Sequence, residues 1–153
     1  GLDRERLGYR QESVHALSLK DGEADVIVSN AFFEHIPRVE DAIEELARVT
    51  RRGGIGIHIV DGSDHRRYGA NACHPLEFLT ETHPEGMVHG SNRVRPLEMG
   101  KMFELHGFEL VEFEPFETVE ISTDLRGRFI EPFKSMPDEC LAVPTGKLVV
   151  RRR

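Results

Sequence analysis

Ala24-Asp25-Val26-Ile27-Val28-Ser29-Asn30 and Ile55-Gly56-Ile57-His58-Ile59-Val60 are two apolar runs rich in β-branched residues, and what lies between them decides the fold. The first has the composition of a short strand buried on both faces, led in by Asp25 and closed by Ser29-Asn30. Between the runs, Val39, Ala42, Ile43, Leu46, Ala47 and Val49 recur at spacings of three and four, while Glu40, Asp41, Glu44, Glu45, Arg48, Arg51 and Arg52 take the other side. Acids gather in the first turn of this predicted helix and arginines in the last, as its dipole favours. Gly53-Gly54 is expected to stop the helix and release the chain into the second strand. Strand, helix and strand in this order make one right-handed βαβ unit, which presents its ligand side at the carboxyl ends of the strands. Those ends carry Asn30 and Asp61.

Composition bounds what such a unit belongs to. The chain has 153 residues, 39% of them hydrophobic, which suits a single domain with a modest core. A formal net charge of -7 argues against a general binder of nucleic acid or anionic membrane, because such proteins need a basic surface to displace counterions. Arg151-Arg152-Arg153 is the one basic run and reads as a solvated end. Cys73 and Cys140 are too few for a disulfide framework, so a reduced, cytoplasmic chain is expected. No apolar run is long enough to span a membrane, and the N-terminus lacks a signal-peptide core.

Outward from the βαβ unit, the patterns weaken. Residues 1–11 are polar and read as a frayed segment or the remnant of something longer. Lys20-Asp21-Gly22 is a turn into the first strand, and Pro37 separates a short apolar turn, Ala31 to Ile36, from the helix. Residues 62–91 form a long irregular insertion whose apolar anchors are Leu76, Phe78 and Leu79; insertions of this kind are usually lids or binding loops. Pro96 to Leu105 is a predicted helix with Pro96 in its first turn, ending before Gly107. Phe108 to Ile121 reads as a strand whose glutamates, Glu109, Glu112, Glu114, Glu117 and Glu120, lie on a solvated face.

The ordered run from Ala16 to Asn30, then Glu34-His35-Ile36-Pro37, then Glu45-Leu46-Ala47-Arg48-Val49 and Arg52-Gly53-Gly54, resembles the class I S-adenosylmethionine-dependent methyltransferases, most of all the type 11 group. Asn92-Arg93-Val94-Arg95 and Met102 to Val111 look like that family's late helix and following strand. Leu141-Ala142-Val143 with Lys147 to Val150 looks like its closing strand. The resemblance implies an α/β fold built on a partial Rossmann-like methyltransferase sheet, mostly parallel with an antiparallel closing strand. It also implies S-adenosylmethionine as cofactor and a small-molecule or glycan-type methyl acceptor. The family's glycine-rich loop after the first strand, and the acidic residue ending the second, have no counterpart here. The chain therefore looks like the C-terminal part of a methyltransferase, a fragment or a degenerate relative, with weak or absent cofactor binding by itself. The alternative is a non-catalytic interaction domain on the same scaffold, and either form would leave a sheet edge open for self-association.

The resemblance assigns candidate positions. Ser13 falls where the family has an acidic residue on the adenine amino group, Val14 where a backbone amide reaches the ring, and Asn30 and Ala31 where the backbone touches the methionine or ribose part. An ordinary loop at Ser13 and a helix cap at Asn30 are the alternatives. Asp61 and His65 follow the second strand, where methyl group and acceptor would meet, so a His65 base oriented by Asp61 competes with a plain polar loop. Asn92, Arg93 and Arg95 sit at the far hinge of the insertion and could hold an acidic acceptor or pair with nearby glutamates. His35 is expected to pack against the sheet and His58 to lie in the core. Cys73, His74, His83 and His89 share a loop without zinc-type spacing, so no metal is expected from sequence.

Overall fold

The computed structural model describes residues 7–70, 72–83 and 86–153. The reading of the chain's start as a frayed or residual segment lies, for residues 1–6, outside the described residues. In chain order the strands and helices are β1 (Ala24–Asn30), α1 (Val39–Val49), β2 (Thr50–Asp61), α2 (Pro96–Leu105), β3 (Phe108–Pro115), α3 (Thr123–Arg128), α4 (Asp138–Leu141) and β4 (Thr145–Arg152). Short 3-10 turns occupy Phe33–His35, His65–Tyr68, Glu77–Thr80 and Phe133–Ser135.

Among the described residues these strands form one sheet in the order β1-β2-β4-β3. β1 pairs with β2 in parallel, and β4 is antiparallel to both β2 and β3. Three strands thus run one way, and β4 enters between two of them running the other way. Of the three pairings one is parallel and two are antiparallel, so the α/β class and the antiparallel closing strand are as expected, while the pairing is mostly antiparallel where a mostly parallel sheet was expected, because β4 inserts between β2 and β3.

The helix–strand boundary lies earlier than the glycines suggest. α1 ends at Val49, where Thr50 donates its amide and its hydroxyl, at 2.6 Å, to Leu46 O, and the chain passes straight into β2. Gly53, with φ +75°, lies inside β2, where a step from Ala24 to Val26 in β1 is matched by one from Thr50 to Ile55 in β2. The glycine pair therefore makes a bulge, not a helix stop, and Arg51 and Arg52 belong to the strand. Gly56 has a different reason: a Cβ there would lie 2.6 Å from His58 Nε2 and 2.7 Å from Val150 Cγ2.

Both long helices share one core with one face of the sheet. Ala42, Ile43 and Leu46 of α1 and Met99 and Phe103 of α2 pack with His58, Leu148, Val150, Phe108 and the turn residue Phe33. Leu105 is not part of this face and is 81% exposed. On the opposite face Val26 and Val28 are 57% and 68% exposed, beside half-buried Ile55 and Ile57. β1 is therefore covered on one side only, which corrects the expectation of burial on both faces; no described element packs against its outer side. The far half of that face is charged, with Lys147 held by Glu112 and Glu114 at 2.9 and 2.5 Å and Arg151 by Glu109 at 3.5 Å.

β3 stops at Pro115 because its partner β4 begins at Thr145; one bond, Phe116 N to Thr145 O at 3.0 Å, follows, and the chain leaves the sheet. Val119 and Ile121 turn instead toward a second core. That core joins Leu76, Phe78, Leu79 and Val88 of the insertion to Leu125, Phe129, Phe133 and Met136, with Cys140 and Leu141 from α4. Leu141 thus closes a helix and fills this core, and the closing strand is β4 alone. The three apolar anchors of the insertion are 0% exposed, so its middle is packed down.

Candidate active site

The site forms where β1 and β2 end. At the end of β1 the chain reverses through Ala31, a non-glycine residue at φ 46° whose amide donates to Ile59 O at 3.0 Å. Phe33 follows, wedged edge-on against His58 and Phe103 at 5.2 and 5.6 Å. Pinning Phe33 turns its neighbour Glu34 inward, where the side chain is 0% exposed. Glu34 Oε1 accepts from Asp61 N at 3.2 Å, and Oε2 has no partner. Burial pushes this carboxyl above its ordinary range.

The next residue faces out. His35 Nδ1 donates to Gly90 O at 2.8 Å; a carbonyl only accepts, so the proton is on Nδ1 and Nε2 carries the free lone pair. Asp61 closes β2, with Oδ1 accepting from Ser63 N at 3.1 Å and Ser63 Oγ at 2.5 Å, and Oδ2 from Tyr68 OH at 3.0 Å. His65 Nε2 lies 3.3 Å from Asp61 O and 3.7 Å from Asp61 Oδ2, which puts its proton on that side and leaves Nδ1 open. The His35 and His65 rings meet edge to face at 5.0 Å. The Asp61–His65 pair read from the sequence is thus brought together, and Glu34, His35 and Tyr68 join it.

The cofactor candidates flank β1. Val14 lines a cleft of about 320 Å³ with Ile27, Val28, Ser29, Phe32, Phe33 and Leu46. Asn30 and Ala31 are exposed at the strand's carboxyl end, and Ser13 is exposed with its Oγ 3.2 Å from His15 Nδ1. The strip holding Ser13 and Val14 is tied to α1 by one arginine. Arg48 donates to Leu17 O at 3.0 Å, Leu19 O at 2.9 Å and Glu45 at 2.6 Å, while Glu45 accepts from Leu17 N at 2.7 Å. Hydrogen bonds from Arg48 hold the Glu45 carboxyl at about 2.

The three substrate candidates each bond the scaffold, while Arg93 Nε and Arg95 Nε and Nη2 are buried with no hydrogen-bond partner. Asn92 Nδ2 donates to Phe33 O at 2.7 Å and Ile36 O at 2.8 Å, locking the turn that carries Glu34 and His35. Arg93 Nη1 donates to Glu81 O at 2.6 Å, and its guanidinium lies over the Phe133 ring at 5.2 Å. Arg95 is 0% exposed and braces the turn after β2 through Nη1 to Gly62 O at 2.6 Å. Burial lowers Arg95 to about 10. In the insertion, His74 bonds Glu120 O at 3.1 Å and His89 pairs with Glu81 at 2.9 Å. The group of metal-type donors among the described residues is elsewhere: one atom each from Glu34, His35 and His65, all within 4.8 Å of one another. Sequence reasoning missed Glu34 and Tyr68; the Glu34-His35 pair was visible, but only the Phe33 wedge makes Glu34 a buried carboxylate.

Residues 2–58 match the family model described as "Methyltransferase domain". No curated protein matches the chain in sequence. Among solved structures, the chain is similar to the [4+2]-cyclase SpnF, at 16% identity over 97% of this chain and 56% of that one, with a TM-score of 0.57. It is similar to geranyl diphosphate C-methyltransferase from Streptomyces coelicolor A3(2), solved with Mg2+, geranyl diphosphate and S-adenosyl-L-homocysteine, at 13% identity, 94% and 53% coverage and a TM-score of 0.60. A third is a SAM-dependent methyltransferase from Methanosarcina mazei, at 17% identity, 92% and 65% coverage and a TM-score of 0.52. The chain therefore spans between about half and two thirds of the length of these three structures. No helix among the described residues is long and apolar enough to cross a membrane.

Proposed function

We propose that this chain, whose fold is similar to that of class I S-adenosylmethionine-dependent methyltransferases and whose residues 2–58 match a methyltransferase domain model, serves methyl transfer from S-adenosylmethionine to a small-molecule or glycan-type acceptor. The observation that carries this reading is the Asp61–His65 pair at the carboxyl end of β2. An acceptor heteroatom attacks the sulfonium methyl in line, the carbon–sulfur bond breaks toward the thioether product, and His65 Nδ1 takes the acceptor's proton. Asp61 orients His65 through its backbone O at 3.3 Å, and its carboxylate, held by Ser63 and Tyr68, lies 3.7 Å from the ring and favours the imidazolium that forms. Val14 with Asn30 and Ala31 offers the cofactor an edge beside β1, and Ser13 a weaker polar contact. Asn92, Arg93 and Arg95 act by holding the acceptor side in shape. Two free thiols suit a reducing, cytoplasmic setting.

Transfer of labelled methyl from S-adenosylmethionine at high concentration, against a panel of small hydroxylated acceptors and sugars, tests the reading. The parent is expected to label an acceptor and His65→Ala to do so about 100-fold more slowly at neutral pH, with the gap narrowing as pH rises. No transfer by the parent, or equal rates for both, would sink it.

A second reading rests on the open face of β1. Val26 and Val28 are exposed on a strand that ends the sheet among the described residues, which favours pairing with a second copy of the chain. Light scattering is expected to give a dimer for the parent and a monomer with an unchanged melting temperature for Val26→Lys, since that position is not in the core. A parent that stays monomeric at high concentration would remove this role.

A further inference from the structure

We propose that Glu34, His35 and His65 form a binding site for a single borderline divalent cation of the Zn2+ type, a state in which His65 Nδ1 is a ligand and no longer the free base of the metal-free chain. Three observations converge on it. The donors are two imidazole nitrogens and one carboxylate oxygen, a set that suits Zn2+, Co2+ or Fe2+ better than the all-oxygen cations Mg2+ and Ca2+. Each imidazole already has its other nitrogen engaged. His35 Nδ1 donates to Gly90 O at 2.8 Å and His65 Nε2 faces Asp61 O at 3.3 Å, so His35 Nε2 and His65 Nδ1 are the unprotonated atoms. Metal-binding histidines are characteristically oriented by an outer partner of this kind.

The third observation is the orphaned acceptor. Glu34 is 0% exposed and its Oε2 has no hydrogen-bond partner, a costly state for a carboxylate that a cation would relieve. His35 Nε2 lies 4.0 Å from the other oxygen of the same carboxylate. A tetrahedral cation with bonds of about 2.1 Å holds its donors about 3.4 Å apart. One donor atom from each of the three residues lies within 4.8 Å of the others, so closure needs small shifts of the side chains. Both imidazoles are partly exposed, His35 at 43% and His65 at 28%, so the solvent side of the site is open to an ion. Three protein ligands leave a coordination position for an outside oxygen, the pattern of an open site as opposed to a closed structural one.

Sequence spacing gives no hint of this set, because twenty-nine residues, including the whole of α1 and β2, separate His35 from His65. Asn92 matters to it indirectly: its two bonds to Phe33 O and Ile36 O hold the Glu34-His35 turn at the right height.

Calorimetry with Zn2+ and visible absorption with Co2+, on the whole chain stripped with chelator and with neither S-adenosylmethionine nor acceptor present, test the site separately from methyl transfer. One equivalent of Zn2+ is expected to bind in the micromolar range or tighter, and Co2+ to show the intense bands of low coordination number and to be displaced by Zn2+. His35→Ala and His65→Ala should each weaken binding roughly tenfold to hundredfold, whereas His74→Ala in the insertion should leave it unchanged. Glu34→Gln should weaken it likewise, and because that position is buried the two histidine variants carry the test if it fails to fold. Zn2+ binding that is absent from the parent, or that survives unchanged in the His35→Ala/His65→Ala double variant, overturns the proposal.

Discussion

Replacing Phe103 with alanine is expected to cost about 3–5 kcal/mol of folding stability, a large part of what a domain of this size has. Phe103 is 0% exposed and stands at the junction of the main core. Its ring meets Phe33 edge-on at 5.6 Å and Phe108 at 5.3 Å and stacks on His58 at 4.8 Å. Truncation removes a large apolar area and leaves a cavity that the sheet and α1 cannot close. It also takes away one of the two rings that fix Phe33, so the Glu34-His35 turn should loosen with it. Urea unfolding followed by circular dichroism measures the loss. Leu105→Ala is the control: on the same helix and 81% exposed, it should change stability by no more than a few tenths of a kcal/mol. Equal losses for the two variants would mean that α2 does not pack on the sheet as described.

Acid should weaken the same core through His58. This residue is 1% exposed, its Nδ1 lies 2.9 Å from Ser29 Oγ, and burial lowers it from 6.5 to about 4. The folded state therefore holds the ring neutral, whereas the unfolded chain protonates it near the ordinary value. A histidine lowered in this way contributes stability fully above pH 6.5, loses it progressively as pH falls toward 4, and changes little below that. Between pH 7 and pH 4.5 the loss from this one group comes to about 2.5 kcal/mol. Carboxylates titrate in the lower part of that range too, so the quantity to measure is the difference between the parent and His58→Gln across the two pH values. A difference near zero would mean that water reaches the ring. Phe103→Ala should shrink the difference, because the cavity it opens lets the imidazole be solvated.

The βαβ unit was legible in local periodicity, since a helix face repeats every three to four residues and a strand needs only a short apolar run. The spacing from Val39 to Val49 specified α1, and Pro96 to Gly107 specified α2 with its ends. The pairing of Asp61 with His65 was legible as well, because both lie at the end of one strand within a single turn. Boundaries were less so: Gly53-Gly54 carries the composition of a helix stop, but the hydroxyl of Thr50 closes the helix earlier, and the glycines serve the register of β2 against β1. Burial of β1 was overestimated because an apolar run does not say how many faces will be covered, and here both helices settle on the same one. Glu34 was the residue that sequence could least assign. Its neighbours made it look like an ordinary turn residue, and only the wedge of Phe33 against Phe103 and His58, residues far apart in the chain, turns the carboxylate inward beside His35 and His65. The sequence by itself determined the elements and the end of the sheet where chemistry could occur; tertiary packing decided which side chains meet there, because the contacts that orient them join segments that no local period connects.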